Sequence, residues 1–389
     1  MTIGQRVRNA RETLGYTQEE LASELSGVRL DRDAVGSIEK DERSVKAAEL
    51  YEIARVLDQP LVHFLREETP PEIVTVTRPV NTAEDREAVR AELRLRRHLD
   101  DYAEAAQLVE PGLTGSLAKR LARRPTRGPV SRQAHTAARQ QRKRLNQASG
   151  SIPALCGLVE NGLAVPVFGY AIPDTDFCGL LATREQAGQP HDQPWAMLVN
   201  TKLSPARRRF TIARQLGRLV WKSSAQDYTP EAFYSSDPAD SEGQTFANVF
   251  AAEFLVPLED LRRECPRAVG QSDPDSIMAL AVRFGVSFQA MTWRLVALGR
   301  FDEHLARELI ASEQPIRLPS FRLEHQEFDE LSHRFRDCVA RAYLMGHLSE
   351  GRCAEMLDTS THEFVAMITQ LTAQTSAECA PENAFSATG

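Results

Sequence analysis

The sequence predicts a mainly α, multidomain protein: an N-terminal unit of five helices, a central α+β unit built around a small sheet, and further helices towards the C-terminal end. Three observations carry that prediction. The chain has 389 residues, 42% of them hydrophobic and 26% charged, which suffices for two or three domains with cores of their own. Apolar residues recur at three- and four-residue steps between capping residues and Gly or Pro stops over much of its length. Three short apolar runs bounded by turn residues, at 163–170, 177–183 and 195–200, read instead as strands. The expected boundaries are 1–65 for the first unit, 66–134 for a linker, a helix and an Arg-rich segment, 135–305 for the α+β unit, 306–374 for the last helices and 375–389 for a polar, disordered tail.

Within 1–65, Ile3, Val7, Ala10 and Leu14 share one helix face, and Gly15 and Tyr16 end it. Thr17 is placed to cap the next helix, with Glu20 three residues on as in a capping box. Asp31 is an N-cap for a helix carrying Ala34, Val35 and Ile38, and helices at 47–57 and 61–65 follow. The order G-Y-T-Q-E-E-L-A, then A-V-G-S-I-E-K, then A-A-E-L-Y-E-I-A-R-V-L resembles the XRE/Cro-C1 helix-turn-helix. The resemblance implies a λ-repressor-like fold, a double-stranded DNA operator as partner, and a homodimer on two half-sites about 34 Å apart. Carried over by position, it puts Thr17 and Gln18 at a phosphate, with Gln18 supporting the groove-reading helix. Arg32, Asp33, Gly36 and Ser37 would face bases, and Lys40 and Arg43 would reach phosphates.

Charge argues the other way. Residues 1–65 hold nine Lys or Arg against twelve Asp or Glu, so the unit lacks the basic excess behind non-specific DNA binding. Asp31 and Asp33 stand where a reading helix meets phosphate, and a carboxylate fits there as a cap or as an acceptor for cytosine N4. A helix-turn-helix kept for protein contacts alone is the competing reading. Residues 66–81, with Pro70, Pro71 and Pro79, read as a linker, and a helix capped near Thr82 runs towards Val109. From 111 to 159 there is no Asp or Glu, while ten Lys or Arg fall between 119 and 144. That block is either a solvated surface or the electrostatic attraction to DNA that the first unit lacks.

Residues 207–221, RRRFTIARQLGRLVW, bury one helical face through Phe210, Ala213, Leu216, Gly217 and Val220. In a metallopeptidase helix written H-E-x-x-H, two imidazoles one turn apart bind zinc and the Glu between them polarises water. Here the positions read Arg-Gln-Leu-Gly-Arg. The frame F-T-I-A-x-x-L-G, followed by A-N-V-F-A-A-E-F-L-V-P from 247, resembles the ImmA/IrrE metallopeptidases, as does the V-S-x-x-A-x-x-x-R-L helix from 286. The resemblance implies a zincin-like domain whose ligand positions are Arg214, Arg218 and Gln244 and whose general-base position is Gln215. Arginine offers no lone pair and stays protonated, so two of them exclude a dication. No metal, cofactor or catalytic residue is expected, and the chain is not read as an enzyme. Asp237, Asp240, Glu242 or Glu253 would face the arginines, or an anionic small molecule would sit between the two guanidinium forks.

The remaining signals bound the setting. Six scattered cysteines without a C-x-x-C pair fit reduced thiols, no run approaches 18 apolar residues, and residues 1–6 lack the core of a secretion signal. A cytoplasmic protein without a membrane partner is expected. Its net charge of -7 argues against a general nucleic-acid coat. Phe328, Leu331, Phe335, Val339 and Ala342 line one long helix that Gly346 ends, and Ser349 and Thr361 cap two short ones. This end serves core packing, dimerisation or a second DNA contact. The expected function is a sequence-specific transcriptional regulator with an inactive metallopeptidase-like sensor or assembly domain. The alternatives are an antitoxin or repressor-binding decoy, and an active zinc metallopeptidase.

Overall fold

Capping chemistry sets where the first helices begin. In the computed structural model, which describes residues 1–65, 83–111, 117–173, 176–183, 194–222, 241–265, 274–311 and 330–378, α1 (Ile3–Thr13) starts from a Thr2–Gln5 capping box. α2 (Gln18–Glu24) starts from the expected Thr17–Glu20 box, and α3 (Arg32–Glu39) from Asp31, whose carboxylate accepts the Ala34 N–H at 2.8 Å. α4 (Ala47–Val56) and α5 (Leu61–Leu65) complete the five-helix unit. Val7, Leu14, Leu21, Ile53 and Phe64 form its core. Gly4 is required where α1 crosses α3, since a Cβ there would collide with the Ile38 carbonyl.

α6 (Ala83–Val109) is a 27-residue spine. Val89 enters the N-terminal core, while Ala91, Leu95, Leu99 and Tyr102 enter a second one. The linker expected at 66–81 and the cap expected at Thr82 lie outside the described residues. Beyond the spine, α7 (Leu117–Arg120), α8 (Val130–Arg144) and α9 (Leu155–Leu163) lead to β1 (Val167–Tyr170), β2 (Gly179–Thr183) and β3 (Trp195–Asn200). The sheet order is β1-β3-β2, with β1 parallel and β2 antiparallel to β3.

Both faces of this sheet are covered, which is why β3 is apolar at successive positions. Met197 and Val199 face the central core with α10 (Pro205–Lys222), α11 (Ser241–Leu255), α12 (Leu258–Glu264), α13 (Pro274–Phe284), α14 (Phe288–Ala297) and α15 (Glu303–Ala311) alongside. Ala196 and Leu198, pointing the opposite way, meet α6, α16 (His333–Leu344), α17 (Glu350–Met356) and α18 (Thr361–Glu378). The C-terminal helices therefore cover the sheet's second face, so core packing accounts for them.

Several details differ from expectation. The central core reaches back to Leu117 and Leu121, before the boundary expected at 135. α16 is capped by Ser332, so Leu331 precedes it, and Phe328 lies outside the described residues. Ser360, not Thr361, caps α18, since its hydroxyl accepts the Glu363 N–H at 3.2 Å; the helix is long and runs to Glu378. Residues 379–389 lie outside the described residues. No described helix is long and apolar enough to cross a membrane.

Candidate functional site

The outer face of α3 carries Arg32, Asp33 and Lys40, all exposed, with Ser37 half-buried beside them. Its inner side is locked. Glu39, 6% exposed, receives Arg11 Nε at 2.5 Å and Arg11 Nη2 at 3.1 Å, and Gln18 Nε2 donates to it at 2.8 Å. Gln18 thus supports α3 through Glu39, and a Cβ on Gly36 would stand 3.4 Å from the Gln18 amide oxygen. Gly36 therefore sits at the α2–α3 contact. Arg43 donates to Glu49 at 2.7 Å and stays partly exposed, while Thr17 is occupied as a cap.

The acidic surplus of this unit is largely used internally. Asp31 and Asp41 cap α3 and α1, and Glu12, Glu39, Glu49 and Glu52 pair with arginines of the unit. α6 neutralises two more: Arg86 meets Glu20 at 2.7 Å, and Arg94 pairs with Asp58. The Thr17 N–H and Arg86 hold the Glu20 carboxyl at about 2. Exposed Arg29, Arg32, Lys40 and Lys46 remain around α3.

The second set of expected residues lies on α10. Gly217 lets α10 press on α11, because a Cβ there would come 3.0 Å from Ala247 Cα. Asn200, fully buried at the end of β3, accepts the Ile172 N–H and donates to the Ile172 and Phe177 carbonyls at 3.0 Å, tying both residues to the end of β3. Gln215, also fully buried, donates to the Gly179 carbonyl at 3.1 Å, and Arg207 Nη2 lies 3.8 Å from Cys178 Sγ. Arg214 is packed towards Cys178, and burial pulls its guanidinium pKa down while the thiol opposes that shift. Arg218, one turn on, is 4% exposed, and Gln244 lies half-buried on α11. Two guanidinium groups and two amides are a donor set that does not fit zinc.

Residues 7–64 match the helix-turn-helix family model, and residues 181–296 match that of the IrrE N-terminal-like domain. The chain joins a helix-turn-helix to an IrrE-like domain. No curated protein matches it.

Of the acids expected opposite the arginines, Glu253 belongs elsewhere in the IrrE-like domain. Fully buried on α11, it accepts from Arg294 at 2.6 Å, Arg139 at 2.7 Å and His135 at 3.0 Å. The reason is the helix phase: Glu253 points towards α8 and α14, away from α10. Glu242 is exposed and acts on Arg124, which stacks on Trp221 at 3.9 Å. Asp237 and Asp240 lie outside the described residues.

The Arg-rich segment is likewise partly internal. Arg142, 1% exposed, donates to the Phe254 and Gly150 carbonyls, and Arg294 donates to the Val256 carbonyl at 2.6 Å. Two arginines thus satisfy carbonyls at the C-terminal end of α11, where the helix dipole favours cations. Arg144 donates to the Lys119 carbonyl at 2.7 Å. Neither a free surface nor a DNA-attracting patch describes Arg142, whereas Arg139 is exposed and paired with Glu253. The partners of Glu253 stand 118, 114 and 41 residues away in the chain, so no local pattern announced them.

Proposed function

We propose that the chain is a sequence-specific transcriptional regulator in which the IrrE-like domain has no peptidase activity and serves sensing or assembly. The observation that carries the first half is the complete helix-turn-helix with its exposed α3 face, braced through the Arg11–Glu39–Gln18 cluster. Arg32 and Asp33 read bases, and Lys40 contacts phosphate, on this proposal. Arg214, Gln215, Arg218 and Gln244 in place of zinc ligands and base support the second half. The active protein is proposed as a homodimer on a near-palindromic site with half-sites about 34 Å apart.

Fluorescence anisotropy of the full chain with its own upstream DNA over a salt series tests this reading. Saturable, sequence-dependent binding is expected, with Arg32→Ala weakening the specific complex by roughly 1–3 kcal/mol. Equal affinity for every sequence would point to a protein-docking helix-turn-helix instead. Stoichiometric zinc in the purified protein would overturn the inactive-peptidase half.

A further inference from the structure

We propose that Arg214 is the recognition residue of an oxyanion-binding site in the IrrE-like domain, taking a carboxylate or phosphate group of a small ligand. The inference rests on the reading that this place no longer holds zinc. Arg214 Nε and Nη2 are both shielded from solvent, and neither donates a hydrogen bond among the described residues. These two atoms form one edge of the guanidinium plane, and their N–H groups point the same way. That edge matches the paired oxygens of a carboxylate or phosphate in a side-on, bidentate contact.

The surroundings favour an anion as occupant. Arg207 and Arg214 both border Cys178, and Arg218 follows Arg214 at the four-residue step that stacks side chains on one helix face. Gln215 provides an independent sign of a missing partner. Its Nε2 donates to the Gly179 carbonyl, which fixes the amide orientation and leaves Oε1 buried with no donor among the described residues. A buried polar atom left unpaired is costly; Gln215 reaches the strand start at Gly179, and Arg214 lies near enough to the adjacent Cys178 to feel its thiol. An oxyanion satisfies the two arginine donors, and a water or ligand hydroxyl satisfies the glutamine.

Thermal unfolding and titration calorimetry of the metal-analysed full chain with inorganic phosphate, acetate and citrate test the site. Saturable binding of at least one of these is expected, with a midpoint temperature that rises with concentration as mass action requires. A response to phosphate alone identifies a phosphoryl ligand; a response to acetate or citrate alone identifies a carboxylate. Arg214→Lys keeps the charge but loses the two-pronged edge, and is expected to weaken binding at least tenfold. Arg214→Met is expected to abolish binding while folding at least as stably as the parent without ligand, since two buried, unpaired N–H groups are gone. Absence of binding by all three anions in zinc-free protein, or unchanged binding in Arg214→Met, overturns the inference and leaves the DNA-binding reading standing. Stoichiometric zinc overturns the inference together with the inactive-peptidase reading.

Discussion

Glu253 shows what one buried charge does in this fold. Burial alone would raise its pKa, but the hydrogen bonds from His135 and Arg139 and the charge of Arg294 outweigh that, holding it at about 2. An unfolded Glu titrates near 4.3, so the depressed value contributes about 3 kcal/mol to stability at neutral pH. The sign follows from which state binds the proton first. Above the unfolded value both states are ionised and the contribution is complete; it is lost as pH falls from there through about 2. Urea unfolding between pH 6 and pH 2.5 is expected to show this decline, and Glu253→Gln to flatten it. The same substitution is expected to destabilise the IrrE-like domain by about 3–5 kcal/mol at pH 7, because Arg294 stays buried without its counter-charge. An unchanged urea midpoint would show that the cluster contributes nothing net.

At the scale of elements, α6 binds the two halves of the chain together. Its arginines at four-residue steps meet the helix-turn-helix in turn. Arg86 lies 4.3 Å from the Tyr16 ring centre, Arg90 donates to the Tyr16 hydroxyl at 2.8 Å, and Arg94 pairs with Asp58. Arg94 also stacks on Tyr170 at the end of β1, at 4.7 Å, so one side chain touches both units. Arg94→Ala removes an ion pair and a cation–π contact, a loss of roughly 1–2 kcal/mol. Hydrogen exchange in residues 83–95 is expected to accelerate while α10 and α11 keep their protection. Equal rates in parent and variant would mean that Val89 packing and the Arg86 and Arg90 contacts hold the two together without Arg94. The R-x-x-x-R-x-x-x-R spacing at 86, 90 and 94 was open to reading in the sequence as a helix stripe; its partners were not.

For the whole molecule, a net charge of -7 stands against the proposed affinity for DNA. Most acids of the first unit act as caps or ion-pair partners, two of them with arginines of α6. The basic residues left around α3 are few, so a small number of phosphate contacts is expected on each half-site. Each neutralised phosphate contributes about -0.9 to the slope of log affinity against log salt. A shallow slope, reduced by about one unit in Lys40→Ala, is the expected result of anisotropy between 50 and 300 mM salt; an identical slope in the variant would remove Lys40 from the interface.

The sequence by itself determined the local structure: the Thr17–Glu20 and Asp31 caps, the three strands, the Pro205 start of α10 and the Gly346 stop are all set within a few residues, by hydrogen bonds and dihedral limits that neighbours decide. The frame around Arg214, Gln215, Arg218 and Gln244 was also legible, and the resemblance it carries is what makes these four the expected peptidase positions. Only the tertiary structure decided which charges meet. Glu253 was a candidate partner for Arg214 on composition alone, yet the phase of α11 turns it to α8 and α14, and Arg142 is drawn inside by the C-terminal carbonyls of the same helix. Coulombic attraction carries no sequence spacing; the packing of elements chooses its partners.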